Sequence, residues 1–214
     1  MNQAPLPKPV PPLEPVPAAL SRIVLSGPPA AGKSTIGRLL ADRLGLPLTD
    51  TDANIVEKYG VISEIFVERG EDHFRRIERE VVRRALRRLL DRPGIVSLGG
   101  GAILNSGTRA QLLHPAIKVV HIDIDVDTVS QRLTAPHRPL LRGAGTAVEN
   151  WLALVEEREP YYEQVATFRV QASNSPPSTV VNRVVDVLTG LQRAEEYAKY
   201  AHLDDDGSSG AHGE

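Results

Sequence analysis

Residues 27–34 read Gly27-Pro28-Pro29-Ala30-Ala31-Gly32-Lys33-Ser34, directly after the apolar run Ile23-Val24-Leu25. The stretch fits the pattern Gly-x4-Gly-Lys-Ser/Thr. In that pattern the glycines let the backbone turn tightly, so that successive amide N–H groups converge on phosphate oxygens near the N-terminus of the next helix. Lys33 then reaches the β- and γ-phosphates of a nucleotide, and the Ser34 hydroxyl can ligate Mg²⁺. The flanks agree with this reading. A short apolar strand precedes the loop, and Ile36, Leu39, Leu40 and Leu44 recur after it at helical spacing, with Arg38, Asp42 and Arg43 between them.

Outward from this loop, apolar runs alternate with helical periodicity. The pattern predicts strands at 22–26, 47–50, 94–98, 117–124 and 167–171. Helices are expected at 33–44, 52–59, 63–69, 72–91, 106–113, 126–133, 147–164 and 178–197. Such alternation implies an α/β domain with a parallel sheet covered by helices on both faces, and ligands at the carboxyl ends of the strands. Pro136, Pro139, Gly143 and Gly145 interrupt the pattern, so residues 134–147 are read as a mobile lid over a bound nucleotide.

With 214 residues, 41% of them hydrophobic, the chain suits one domain with modest extensions. That domain is placed at 21–192. Residues 1–20 hold seven of the 17 prolines and are expected to be an extended leader. Residues 193–214 are read as a helix end and a disordered acidic, Gly/Ser-containing tail. The absence of cysteine excludes disulfides and thiolate metal sites, and no apolar stretch suits a membrane span or signal peptide. A cytoplasmic enzyme is expected. A net charge of −2 argues against bulk attraction to nucleic acid or anionic lipid, so any anion is held locally.

A second set of residues lies farther along the chain. Strand 47–50 runs into Asp50-Thr51-Asp52, where a period of two would put both carboxylates on one side of the chain. Asp50 suits a water of a Mg²⁺ shell, and Asp52 can orient or deprotonate an attacking hydroxyl. Either aspartate could instead cap helix 52–59. Helix 72–91 is expected to bury Phe74, Ile77 and Val81, with Arg75 and Glu78 as neighbours at i, i+3. A glutamate so placed can hold an arginine fork aimed at a substrate carboxylate, or the two can form a surface ion pair of little consequence. Gly99-Gly100-Gly101 follows strand 94–98 and would let the backbone approach a ligand closely.

Taken with Arg138-Pro139-Leu140-Leu141 and with Arg158 in Glu157-Arg158-Glu159-Pro160-Tyr161-Tyr162, these motifs occur in an order that resembles the shikimate kinases over residues 22 to about 190. The resemblance implies a three-layer α/β/α fold on a five-stranded parallel sheet, the P-loop kinase fold with a closing lid. It also implies transfer of the ATP γ-phosphoryl to the 3-hydroxyl of shikimate, on the route to chorismate and aromatic amino acids. On that resemblance Gly27, Ala30, Ala31, Gly32, Lys33, Ser34 and Thr35 would bind ATP, with Arg132 and Pro177 flanking the adenine. Asp52 would bind the ring hydroxyls, Arg75 and Arg158 the shikimate carboxylate, and Gly99, Gly100 and Gly101 would border the ring. Lys33, Asp52 and Arg138 would be catalytic, with Arg138 closing on the phosphates, and Ser34 and Asp50 would hold Mg²⁺. Shikimate and ATP would be the partners of a monomer, with neither nucleic acid nor membrane involved.

The chain departs from the family pattern in two places. Ala30-Ala31 stands where a Gly-Ser pair is common, which should change loop stiffness but not the backbone donors. The segment Pro136-His137-Arg138 and the insert near Gly143 and Gly145 also differ. Asp123 and Asp125 are expected to end a strand and cap a helix. Arg83-Arg84-Ala85-Leu86-Arg87-Arg88 is read as a solvated helix face. The rivals are a kinase of the same fold acting on gluconate or a nucleoside monophosphate, and a nucleotide-dependent switch or nucleic-acid-associated ATPase.

Overall fold

Five parallel strands form one sheet in the order β2-β3-β1-β4-β5. They are β1 (Arg22–Ser26), β2 (Leu48–Asp50), β3 (Gly94–Ser97), β4 (Lys118–Asp123) and β5 (Phe168–Gln171). The computed structural model describes residues 21–133 and 145–204. The leader, most of the expected lid with Arg138, and the last ten residues lie outside them. Seven helices are seen among the described residues: α1 (Lys33–Leu44), α2 (Thr51–Tyr59), α3 (Ile62–Asp91), α4 (Ser106–Leu112), α5 (Val126–Arg132), α6 (Ala147–Val165) and α7 (Pro177–Asp204).

The strand alternation sorts the core. Ile23, Leu25, Val120 and Ile122 face a cluster completed by Ile36 and Leu40 of α1 and by Val180, Val184 and Leu188 of α7. Val24, Val96 and Val119 point the other way, onto Val82, Leu86 and Leu89 of α3 and Leu112 of α4. Each such aliphatic, fully withdrawn from water, contributes about 1.5–3 kcal/mol. Helix α6 serves both faces, with Trp151 and Leu154 in the first cluster and Tyr162 and Val165 in the second.

The expected elements correspond closely to the observed ones, and the departures have local causes. Helices expected at 63–69 and 72–91 run together as α3, with a bend at Gly70 (φ 78°, ψ 168°). The expected stripe of Phe74, Ile77 and Val81 is only partly right. Phe74 is buried, but Ile77 and Val81 are half-buried against the small cluster around Ile55 and Ile65, and the sheet-facing side carries Val82, Ala85, Leu86 and Leu89. Helix α7 runs on to Asp204 because no glycine or proline interrupts the helix formers after Gln192. A 3₁₀ turn at Ala102–Leu104, too short to show a period, follows the glycine run.

Candidate active site

The loop after β1 has the geometry its sequence calls for. Gly27 (φ 141°) passes so close to β4 that a Cβ there would lie 2.6 Å from the Ile122 carbonyl oxygen. Gly32 is the left-handed N-cap of α1 and carries the loop into the helix. The carbonyls of the loop are occupied by side chains. Lys33 Nζ donates to the Gly27 and Pro28 oxygens at 2.7 and 2.9 Å, Trp151 Nε1 to Pro29 at 2.9 Å, and Arg132 Nη1 to Ala30 at 3.0 Å. Ala30 has φ 69°, in the left-handed region, so this departure from a glycine is held against a backbone preference.

A cleft of about 800 Å³ opens in front of this loop. Its wall brings together Lys33, Ser34, Asp50, Asp52, Arg75 and Arg158, residues widely separated in the chain, with Gly99, Gly100 and Gly101 beneath them. A second cleft of about 290 Å³ lies on the other flank of the loop, bounded by Thr35, Arg132, Ser175 and Pro177. The two clefts share Ala30, Gly32, Thr35 and Arg132. Ala30, Ala31, Gly32, Lys33, Ser34, Thr35, Arg132 and Pro177, among the residues expected on the nucleotide side, thus line two adjoining clefts, while Arg138 lies outside the described residues.

Asp50 and Asp52 meet at the cleft by a route other than the strand alternation expected for them. The strand ends at Asp50, and α2 begins at Thr51, so a strand-to-helix turn aims both carboxylates. Asp50 is also the helix cap, its Oδ1 accepting from the N–H groups of Asp52 and Ala53 at 3.1 Å each. Its Oδ2 is buried and has no hydrogen-bond partner among the described residues. One oxygen caps, and the other is left for a donor or a cation. Between the aspartates, buried Thr51 Oγ1 donates to the Ser97 carbonyl at 3.2 Å and accepts from Gly99 N–H at 2.9 Å, tying this turn to the glycine run.

The Arg75–Glu78 pair is not a surface pair. Glu78 is 4% exposed, and its Oε2 takes a hydrogen bond from Arg75 Nη1 at 2.6 Å. Glu71 binds the other edge of the guanidinium through Nε and Nη2 at 3.1 and 2.9 Å. Glu71 went unread because the helix was expected to begin at 72; with α3 continuing through Gly70, the i, i+4 spacing shows it. Burial pulls the Arg75 pKa down, but Glu78 and Glu71 outweigh it and hold the group above its ordinary value. For Glu78 burial wins over the attraction of Arg75, and nearby Asp52 adds to it, so its pKa is raised. One attraction serves both partners, and the difference lies in exposure: 6% for the Glu78 side chain against 19% for Arg75.

Arg158 sits on α6, buried, with Nη1 donating to the Gly100 carbonyl at 3.1 Å and Nε without a partner among the described residues. Burial, with Arg75 nearby, lowers its pKa from the ordinary value, though an arginine stays charged at any working pH. Among the described residues it makes no ion pair. Arg75 is therefore bonded to two carboxylates, while Arg158 feels Glu78 and Glu157 only at longer range. The three glycines make room for the protein's own groups. A Cβ on Gly99 would collide with Asp52 Oδ1, one on Gly101 with the Arg75 guanidinium, and one on Gly100 would press on Pro29 at 3.1 Å.

Two aromatic residues of α6 also reach the site: Trp151 through Pro29, and Tyr162, whose hydroxyl donates to the Gly100 carbonyl at 2.7 Å. The residues read as structural lie elsewhere. Asp125 caps α5, accepting from Thr128 N–H at 2.8 Å. Asp123 ends β4 in a two-pronged pair with Arg169 (3.0 and 2.6 Å) beside buried His121. No described helix is long and apolar enough to cross a membrane.

The family model described as shikimate kinase matches residues 29–189. A shikimate kinase of Rhodococcus jostii is 45% identical over 169 residues, spanning 78% of this chain and 97% of its own length. One from Streptomyces coelicolor is 44% identical over 78% of this chain and 94% of its own. Among solved structures, the shikimate kinase from Acinetobacter baumannii in complex with shikimate superposes with a TM-score of 0.74 at 30% identity, over 80% of this chain and 94% of that one. A gluconokinase from Sinorhizobium meliloti, at TM-score 0.57 and 18% identity over 84% and 97%, shares the fold alone. This chain belongs to the shikimate kinase family.

Proposed function

We propose that the chain transfers the γ-phosphoryl of ATP to the 3-hydroxyl of shikimate, giving shikimate 3-phosphate and ADP on the route to chorismate and aromatic amino acids. The observation that carries this reading is the shared cleft: the lysine of the phosphate loop opens onto the same space as Asp52, Arg75 and Arg158. A ring bearing one carboxylate and several hydroxyls matches that donor set. The two guanidiniums take the carboxylate, and Asp52 takes hydroxyl protons at the opposite end of the ring.

Phosphoryl transfer asks the protein for position and charge stabilisation more than for covalent chemistry. The attacking oxygen forms a bond to the γ-phosphorus as the bond to the bridging oxygen of ADP breaks, and Asp52 stands to receive the hydroxyl proton. Lys33 exchanges its carbonyl partners for phosphate oxygens. Arg132 and Pro177 border the base, and Arg138, outside the described residues, enters through the resemblance as the group that closes on the phosphates. The donor set also fits Mg²⁺, because the unpartnered, buried Oδ2 of Asp50 and the hydroxyl of Ser34 line one wall as hard oxygen ligands. When bound, the ion neutralises charge on the phosphates. On this reading the partners are two small molecules, the chain works as a monomer in the cytoplasm, and nucleic acid and membrane take no part.

ADP release measured with Mg·ATP alone and with shikimate, gluconate or nucleoside monophosphates tests the reading. Release dependent on shikimate, one ADP per shikimate 3-phosphate, is expected. Release driven by gluconate or a nucleoside monophosphate in its place overturns it.

A further inference from the structure

One face of α6 touches both loops that meet at the cleft. Trp151, Arg158 and Tyr162 are spaced i, i+7 and i+11, which returns them to nearly the same side of a helix. All three are at most 3% exposed. Trp151 donates its indole N–H to the Pro29 carbonyl of the phosphate loop at 2.9 Å. Arg158 and Tyr162 both donate to the Gly100 carbonyl of the glycine run, at 3.1 and 2.7 Å. The two loops also abut each other at those residues. A Cβ on Gly100 would stand 3.1 Å from Pro29 Cδ, 3.2 Å from Pro29 N and 3.4 Å from the Gly27 carbonyl oxygen. Pro29 and Gly100 are thus the junction of the nucleotide and acceptor sides, and α6 holds each by a hydrogen bond to its carbonyl.

We propose that Trp151 is a positioning residue for the phosphoryl transfer. Its indole N–H, acting with Arg158 and Tyr162 on the same helix face, fixes the phosphate loop against the Gly99-Gly100-Gly101 run and so sets the separation of donor and acceptor. The inference rests on the function proposed above. Hydrophobic packing alone would ask only for a large ring at 151, whereas the indole adds a donor aimed at a carbonyl that the loop's own backbone does not satisfy. Displacements of this kind act on rate more than on binding, because each substrate keeps its own contacts while the in-line approach is spoiled.

Two measurements test it. Trp151→Phe keeps a ring and removes the donor. The expected result is a kcat about tenfold lower, with the KM values for ATP and shikimate each within about twofold of wild type and cooperative melting retained. A wild-type kcat in a folded Phe variant overturns the proposal, whatever the change in melting temperature. The second measurement needs no substitution. Trp151 is the single tryptophan of the chain, so emission excited to the red of tyrosine absorption reports the surroundings of this indole alone. Nucleotide alone and shikimate alone should each alter that emission, because each ligand presses on one side of the Pro29–Gly100 junction. Emission indifferent to Mg·ATP overturns the proposal even if the Phe variant fails to fold. Wild-type enzyme that shows no shikimate-dependent ADP release would instead defeat the functional reading and leave a recognisably different result.

Discussion

The two sides of the cleft are built on different principles. The phosphate loop is one uninterrupted stretch that offers backbone amides, with a single lysine and a hydroxyl added. The acceptor side is made of side chains from separated elements: Asp52 at the start of α2, Arg75 and Glu78 on α3, Arg158 on α6, with a glycine run as floor. The first side is therefore specified by local conformation. The second is specified by packing, since each charged group is aimed by a partner from elsewhere in the fold or the helix. The loop should tolerate side-chain changes that spare its geometry, and the acceptor wall should not.

Lys33 is the exception on the loop side, and removing it should have the largest effect. Its ammonium holds the Gly27 and Pro28 carbonyls and is the only cation within the loop itself. Lys33→Ala should lower kcat on the order of 10³-fold in a coupled ADP assay, by loss of a preorganised charge at the transferred phosphate. A residual rate near wild type would mean that backbone amides alone suffice, and the contrast between the two sides would then be deeper still.

Arg75→Ala tests the opposite wall. Only the acceptor brings a carboxylate, so its KM should rise about 10- to 100-fold, the scale of one charge-assisted contact, while the KM for ATP stays within about twofold. Equal rises in both would show that the wall and the loop are not separable. The same removal leaves Glu78 buried beside Asp52 without its cation, so a fall in melting temperature should accompany the kinetic change.

The contrast also explains what could be read before any fold was known. Residues 27–34 announce themselves because the chemistry is contiguous and its turn needs glycine at fixed places. The sheet followed from the alternation of short apolar runs with helical ones. On the acceptor side, Arg75 and Glu78 could be paired by helix spacing, but whether the pair faced water could not. That depends on Val82, Leu86 and Leu89 turning this face of α3 inward. The bonds of Trp151 and Tyr162 carried no local signal, because their partners are carbonyls 122 and 62 residues away in the chain, although the place of Tyr162 beside Arg158 already set it near the site. The capping role of Asp50 and its free second oxygen became distinct only once the turn was seen.

Glu78→Gln sharpens the comparison through pH. At neutral pH the amide still accepts from Arg75, so the shikimate KM should rise only several-fold. Stability carries the clearer signature. Below about pH 4.3, the ordinary carboxylate value, Glu78 is protonated in folded and unfolded chains alike. As the pH rises through its raised folded value, the unfolded chain has already released the proton while the folded chain must ionise a buried group, so that part of the stability is lost. The Gln variant has no such loss. Melting temperatures of the two proteins across this range should therefore move apart in favour of the variant as pH increases, and a constant difference would place Glu78 in a more open environment than its 4% exposure implies.

Ala30→Gly should have the smallest effect, and it goes in the opposite direction. Ala30 is held at φ 69°, where an L-residue is strained by about 1–2 kcal/mol, and a glycine is not. Part of the gain is returned, because glycine gives the unfolded chain more freedom, by roughly 0.4–1 kcal/mol. The net should be a stabilisation of up to about 1.5 kcal/mol, at about 2–4 °C in melting temperature per kcal/mol for a domain of this size. The Arg132 bond to residue 30 goes to a backbone carbonyl and survives the change, so the amides should keep their directions and the KM for ATP should hold. Melting and ATP titration on one preparation decide it. A destabilised variant with weakened ATP binding would mean that the Ala30 methyl group itself supports the loop, and that the nucleotide side, like the acceptor side, depends on side-chain packing for its shape.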